Sequence, residues 1–243
     1  MVVRVIINGA EGKMGSLALL TLNAHPDFEV VAALGRRDNL AREIKEKKAD
    51  IVIDLTRADC VYENTKTIIE AGVSAVIGTT GLLAEQIRTL NDRAQQNKIG
   101  GIIVPNFSIA AVLMMRFAAE AAKYLPDVEI IELHHPHKYD APSGTAIKTA
   151  ELIAQQRSPS SSVAQYHEAV PGALGGKYRD IPIHSVRLPG LLANQQVIFG
   201  SIGETLQISH NTIDRNCFMP GLVLCCQKVT HLTSLVYGLE HLL

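Results

Sequence analysis

The chain has 243 residues, 47% hydrophobic and 19% charged, with 23 Lys and Arg against 24 Asp and Glu for a formal net charge of −1. That length holds one large domain or two modest ones with an ample core, and the balanced charge offers nothing to steer it to nucleic acid or an acidic membrane. No apolar run approaches the roughly 18 residues of a membrane span. The first apolar run meets Gly9 too soon for a signal peptide, and Cys60, Cys217, Cys225 and Cys226 form no CxxC pair, so buried thiols in a cytoplasmic chain are the expectation.

Apolar runs that barely alternate predict strands buried on both faces over 2–7, 29–34, 50–55, 73–77 and 101–104. Helical spacing over 14–24, 60–71 and 82–96 lies between them. Lys45, Lys47 and Lys48, interleaved with Glu43, Glu46 and Asp50, read as a solvated helix face. This alternation predicts an α/β class: a Rossmann-like, doubly wound parallel sheet. After Asn106 the texture changes. An Ala- and Met-rich helix capped by Ser108 is expected over 108–125, then a strand over 128–133 and a helix over 144–157. A loop follows to about Asp180, containing a serine-rich tip at 158–162 and Pro171, Gly172, Gly175 and Gly176. Closely spaced strands at 181–188, 195–202 and 205–210 predict an antiparallel or mixed sheet, and helical patterns return over 218–232 and 235–242. The expected organisation is one domain made of 1–107 and 215–243, with an α+β domain over 108–214 inserted in it.

The first strand leads into Gly9-Ala10-Glu11-Gly12-Lys13-Met14-Gly15 and then a helix. This GxxGxxG turn is a variant of the dinucleotide fingerprint: glycines permit a tight turn and let backbone amides approach a pyrophosphate at the positive end of the helix. Its place at the first strand, turn and helix gives the pattern weight that glycines alone lack. NAD sites usually end the second strand with an acid; here Leu34-Gly35-Arg36-Arg37 has none. Arginine suits a 2′-phosphate, so NADPH is the expected preference over NADH, with a pair of ordinary surface arginines as the other reading. Gly78-Thr79-Thr80-Gly81 and Pro105-Asn106-Phe107-Ser108 follow the fourth and fifth strands, at the ends where ligands bind, although each is also ordinary turn chemistry.

The densest chemistry lies in Glu132-Leu133-His134-His135-Pro136-His137-Lys138-Tyr139-Asp140-Ala141-Pro142-Ser143-Gly144-Thr145. The histidines read three ways. As metal ligands they lack a carboxylate or cysteine set of recognised spacing. As structural residues they would simply end a strand. As acid–base groups they would work near their ordinary pKa, beside a lysine that attracts anions. The Ser-Gly-Thr step begins a helix, where amides could receive a carboxylate or where Asp140 or Ser143 could act as a cap.

This segment resembles the signature of the dihydrodipicolinate reductase (4-hydroxy-tetrahydrodipicolinate reductase) family, E-x-H-H-x-x-K-x-D-A-P-S-G-T-A, and residues 132–146 match every fixed position. The resemblance extends to the 9–15 turn, Asp54-Leu55-Thr56-Arg57, Gly78-Thr79-Thr80-Gly81 and Asn106-Phe107-Ser108. It implies NAD(P)H-dependent reduction of a cyclic dicarboxylate, 4-hydroxy-tetrahydrodipicolinate, in lysine and diaminopimelate biosynthesis. It implies that His134 is the proton donor or acceptor and Lys138 the second catalytic residue. His135, Gly144 and Thr145 would contact substrate. Gly9, Ala10, Glu11, Gly12, Lys13 and Met14 would meet the dinucleotide, with Gly78, Thr79, Thr80, Val104, Pro105, Asn106 and Phe107. Arg36 would take the 2′-phosphate. The 1–107 and 215–243 portion would then bind the dinucleotide, and the 108–214 portion would bind substrate and build a homotetramer. No metal, nucleic-acid or membrane partner is expected. Two departures stand out: Gly35 replaces an acid found in some relatives, and the region between Arg37 and Asp50 is shorter than in many. Two rival readings are another dinucleotide-dependent reductase of amino-acid metabolism, such as an aspartate-semialdehyde or homoserine enzyme, and a dinucleotide-sensing regulator. An aspartate-semialdehyde enzyme would require a nucleophilic cysteine, and no cysteine of this chain sits in a suitable turn; a homoserine enzyme would lack this signature, and a regulator has no need of it.

Overall fold

The computed structural model describes residues 2–158 and 167–243; most of the serine-rich tip expected at 158–162 lies outside them. The chain forms two compact units, Met1–Ile109 with Arg215–Leu243, and Ala110–Asp214.

Unit 1 contains β1 (Val3–Asn8), α1 (Lys13–Asn23), β2 (Phe28–Leu34), α2 (Leu40–Lys47), β3 (Ile51–Asp54), α3 (Val61–Glu70), β4 (Ser74–Ile77), α4 (Ala84–Asn97), β5 (Gly101–Ile103), α7 (Met219–Lys228) and β11 (Leu235–Tyr237). The sheet order is β11-β5-β4-β3-β1-β2, and every pairing is parallel. As the unalternating runs predict, β3 and β5 are buried throughout. β2 is the exception, half open because it is the sheet edge. From β1 the chain goes to β2 on one side and to β3 on the other, so the order reverses at β1. Such a reversal opens a crevice at the carboxyl ends of the strands. The charged run as far as Lys47 lies in α2, with Asn39 accepting the Arg42 amide at 3.0 Å as its cap, and Lys48 closes the helix.

The helical expectation for 235–242 is corrected. Leu235–Tyr237 is a strand that extends the sheet beside β5, and only Leu239–Leu242 winds into a 3₁₀ turn. Leu-Val-Tyr suits a strand as well as a helix once an open edge is at hand. Gly238, at φ 104°, then breaks the chain direction where a side chain would be strained.

Unit 2 contains α5 (Ile109–Ala121, whose first residue belongs to unit 1), β6 (Asp127–His134), α6 (Gly144–Gln156), β7 (Gly176–Tyr178), β8 (Ile181–Arg187), β9 (Ala193–Ser201) and β10 (Glu204–Thr212). The sheet order is β10-β9-β6-β8-β7, mixed because β6 and β8 run parallel while the other pairs are antiparallel. Val128 and Ile130 of β6 join Val197 and Phe199 of β9, Ile183 of β8, and Ala146, Ala150 and Ile153 of α6 in one buried core. With a side-chain period of two, Glu132 and His134 continue this core face at the carboxyl end of β6. The apolar row therefore ends in a buried acid and a histidine.

Candidate active site

The predicted site residues fall into two groups, one in each unit. In unit 1 the glycine turn leaves β1 and is tied to the end of β2: the Gly9 and Ala10 amides both donate to the Leu34 carbonyl, at 2.9 and 3.0 Å. Gly9 holds φ 90°, and a Cβ there would lie 2.5 Å from the Leu55 carbonyl oxygen. A Cβ on Gly15 would lie 2.1 Å from the Gly9 carbonyl oxygen, so helix and turn touch only because Gly15 lacks a side chain. Gly12 caps α1 with no side-chain hydrogen bond. The amides of the first helical turn have no acceptor within the helix, and here no side chain caps them from Gly12. The turn therefore fits a pyrophosphate.

Arg36 follows β2 in an exposed turn closed by Asp38, whose Oδ2 accepts the Gly35 amide at 2.7 Å. The turn after β4 is organised by Asp54, which is fully buried. Its Oδ2 accepts from Asn8 at 2.9 Å and Asn64 at 2.8 Å, and its Oδ1 from Thr56 at 2.7 Å and Thr79 at 2.5 Å. The Thr79 hydroxyl is thus committed to Asp54, while Thr80 is exposed. Val104 and Phe107 are buried. The Phe107 ring packs where a Cβ on Gly78 would come, 2.6 Å away. Pro105 is exposed, and Asn106 accepts the Ser108 amide at 2.9 Å. The predicted cofactor residues of this unit follow the carboxyl ends of β1, β2, β4 and β5, and Asp54 ends β3 between them.

In unit 2, Glu132 is fully buried and clamped by Arg187, which donates to Oε2 at 2.9 Å and to Oε1 at 2.8 Å. The parallel pairing of β6 with β8 produces this contact, because it sets His134 opposite Arg187. His134 Nδ1 lies 2.5 Å from Glu132 Oε2. Burial pushes the Glu132 carboxyl up, but hydrogen bonds from His134, Arg187 and Ser185 outweigh it and hold the group at about 2. An ionised carboxylate only accepts, so Nδ1 carries the proton and donates it. Nε2 is left as the nitrogen that can give or take a proton. Arg187 also donates to the Asp140 carbonyl at 2.7 Å, and Asp140 Oδ1 accepts from Lys138 Nζ at 2.7 Å. That bond from Lys138 holds the Asp140 carboxyl below its usual range.

His134 and Lys138 are therefore linked through Glu132, Arg187 and Asp140, and the chain enters α6 shortly after Asp140. Ser143 caps α6 by accepting the Ala146 amide at 3.1 Å, and a Cβ on Gly144 would meet nothing within 4 Å, so the space over the first turn is open. Thr145 and His135 are half-buried. The His135 and His137 rings lie 6.4 Å apart. Among the described residues, no three His, Cys, Asp or Glu side chains gather as a metal-holding group.

Residues 3–107 match the family model described as Dihydrodipicolinate reductase, N-terminus, and residues 110–243 match Dihydrodipicolinate reductase, C-terminus. The chain belongs to the dihydrodipicolinate reductase family. It is 61% identical over 240 residues to the 4-hydroxy-tetrahydrodipicolinate reductase of Legionella pneumophila (strain Paris), across 99% of both chains. It is 52% identical over 244 residues to that of Coxiella burnetii (strain Dugway 5J108-111), across 100% of both. The dipicolinate-bound dihydrodipicolinate reductase from Paenisporosarcina sp. TG-14 superposes with a TM-score of 0.93 at 43% identity, over 100% of both chains. Family membership makes the chain an oxidoreductase and accounts for the signature at 132–146. Sequence reasoning gave no part in the acid–base site to three groups: Glu132, Asp140, which was named only as a candidate cap, and Arg187. The first two stood inside the signature. Arg187 is 55 residues from Glu132, and only strand pairing brings it there.

Proposed function

We propose that the protein reduces 4-hydroxy-tetrahydrodipicolinate to tetrahydrodipicolinate with NADPH or NADH, in lysine and diaminopimelate biosynthesis. The observation that carries this reading is the His134–Glu132–Arg187 arrangement beside the start of α6, in a chain of this family. Bound at the glycine turn, the dinucleotide supplies a hydride, received at ring carbon four of the substrate after water is lost. The residues of unit 2 do the rest. His134 presents Nε2 to protonate the enamine-like anion, with Nδ1 anchored on Glu132. Arg187 balances the Glu132 charge, so the pair orients the imidazole without adding net negative charge beside it. Lys138 keeps donors beyond the one given to Asp140 and attracts a substrate carboxylate. His135 and the Gly144-Thr145 amides at the start of α6 position the ring and its second carboxylate.

For the cofactor, NADPH is the preferred partner through Arg36 and NADH is also used. Unit 1 is the dinucleotide-binding domain, and unit 2 the substrate and oligomerisation domain. The edge strand β10 of unit 2, with Leu206 41% exposed, supports a homotetramer, checked by light scattering on the eluting protein. No helix among the described residues is long and apolar enough to cross a membrane, which agrees with a cytoplasmic biosynthetic role. The test of the activity is oxidation of NADPH with freshly generated substrate. Steady consumption supports the proposal; consumption with aspartate semialdehyde instead would replace it with a different reductase.

A further inference from the structure

In dinucleotide-binding sheets an acid at the end of the second strand, about 20 residues past the glycine turn, takes the ribose hydroxyls of NAD, whereas an arginine nearby receives the 2′-phosphate of NADP. Here β2 ends at Leu34, and Gly35 and Arg36 follow, so the chain carries no acid at that point. The carboxylate is nevertheless present in space. A Cβ built on Gly35 would lie 2.9 Å from both Cδ and Oε1 of Glu11, and 3.1 Å from its Oε2. The Glu11 carboxylate lies over the end of β2, where a side chain at position 35 would begin, and the bare Gly35 leaves it room. The backbone fixes this approach, since the Gly9 and Ala10 amides just before Glu11 are both bound to the Leu34 carbonyl. Asp38, the next acid in this turn, is committed to the Gly35 amide.

We propose that Glu11, reaching across from the glycine turn, is the ribose-binding acid of this protein and sets its cofactor specificity against Arg36. Its carboxylate accepts from the ribose hydroxyls of NADH and repels the 2′-phosphate of NADPH; Arg36 does the reverse. The residue and the missing acid form a pair: a side chain at position 35 and one of this length at position 11 would compete for the same place. This role rests on unit 1 binding a dinucleotide.

The test is a fluorescence titration of the full chain with NADH and with NADPH, without substrate, for the wild type, Glu11→Gln, and the double variant Glu11→Gly/Gly35→Glu. Glu11 is exposed and outside the left-handed region, so glutamine fits its place without strain. Losing a hydrogen bond to a charged group weakens binding about tenfold or more. Glu11→Gln is therefore expected to raise the NADH Kd about tenfold and to lower that for NADPH. The double variant returns a carboxylate to the strand end and recovers most of the NADH affinity. The ratio of the two constants is insensitive to any loss of folded protein. Equal changes for both dinucleotides, an unchanged ratio, or a double variant as poor with NADH as Glu11→Gln would overturn the role of Glu11. A wild type that binds neither dinucleotide would overturn the cofactor reading itself, and the role of Glu11 with it.

Discussion

Arg187→Met removes the clamp on Glu132, a fully buried acid of the site. Glu132 sits at about 2 against its ordinary 4.5, which amounts to about 3 kcal/mol of folded-state stability at neutral pH. Its folded value lies below its unfolded one, so this contribution is fully present above about pH 4.5 and is lost as the pH falls toward 2. Without Arg187 the carboxylate keeps only His134 and Ser185, and breaking one partner of a buried pair costs about 3–5 kcal/mol. Urea unfolding followed by circular dichroism at fixed protein concentration should show a loss of about 3 kcal/mol at neutral pH, with the gap to wild type about halved at pH 3. The double variant Glu132→Gln/Arg187→Met carries no stranded charge and should be more stable than Arg187→Met alone. A loss below about 1 kcal/mol, unchanged by pH, would refute the claim that Arg187 holds Glu132 ionised.

Three other outcomes follow from the same geometry. His134→Ala should lower kcat by roughly 10²–10⁴-fold, the range for general acid catalysis, with both dinucleotide Kd values unchanged in titration; near-normal turnover would remove its acid role. Lys138→Ala should lower kcat and raise the KM for substrate, and a variant altered only in thermal stability would make Lys138 structural. Gly15→Ala places a methyl 2.1 Å from the Gly9 carbonyl oxygen; it should abolish dinucleotide binding measured by fluorescence while substrate-analogue binding to unit 2 persists. Retained dinucleotide affinity would show that the turn does not need that close approach.

Much of this arrangement was legible in the residues because it is written locally. β1, β3, β4 and β5 announce themselves by runs without alternation, since both faces are covered. The helix at 144–156 follows from its serine cap. The family signature placed His134 and Lys138 in a single stretch. What escaped depended on contacts between distant segments. Leu235–Tyr237 read as helix because nothing in three apolar residues records that β5 offers an open edge. Arg187 looked like the end of an ordinary strand, and its place opposite His134 is set only by the parallel pairing of β6 with β8. Glu11 reads in the sequence as one more turn residue, and only the fold lays its carboxylate over the bare Gly35. The missing acid after β2 was thus a statement about the chain, not about the space around it.

The most direct test is to mix freshly generated 4-hydroxy-tetrahydrodipicolinate with the purified protein and NADPH and follow the dinucleotide at its near-ultraviolet absorbance band, for wild type and His134→Ala side by side. Rapid oxidation by the wild type, with one dinucleotide consumed per substrate and turnover falling at least about a hundredfold in the variant, is the predicted result. Either no oxidation by the folded wild type or equal rates for the two proteins would contradict the account.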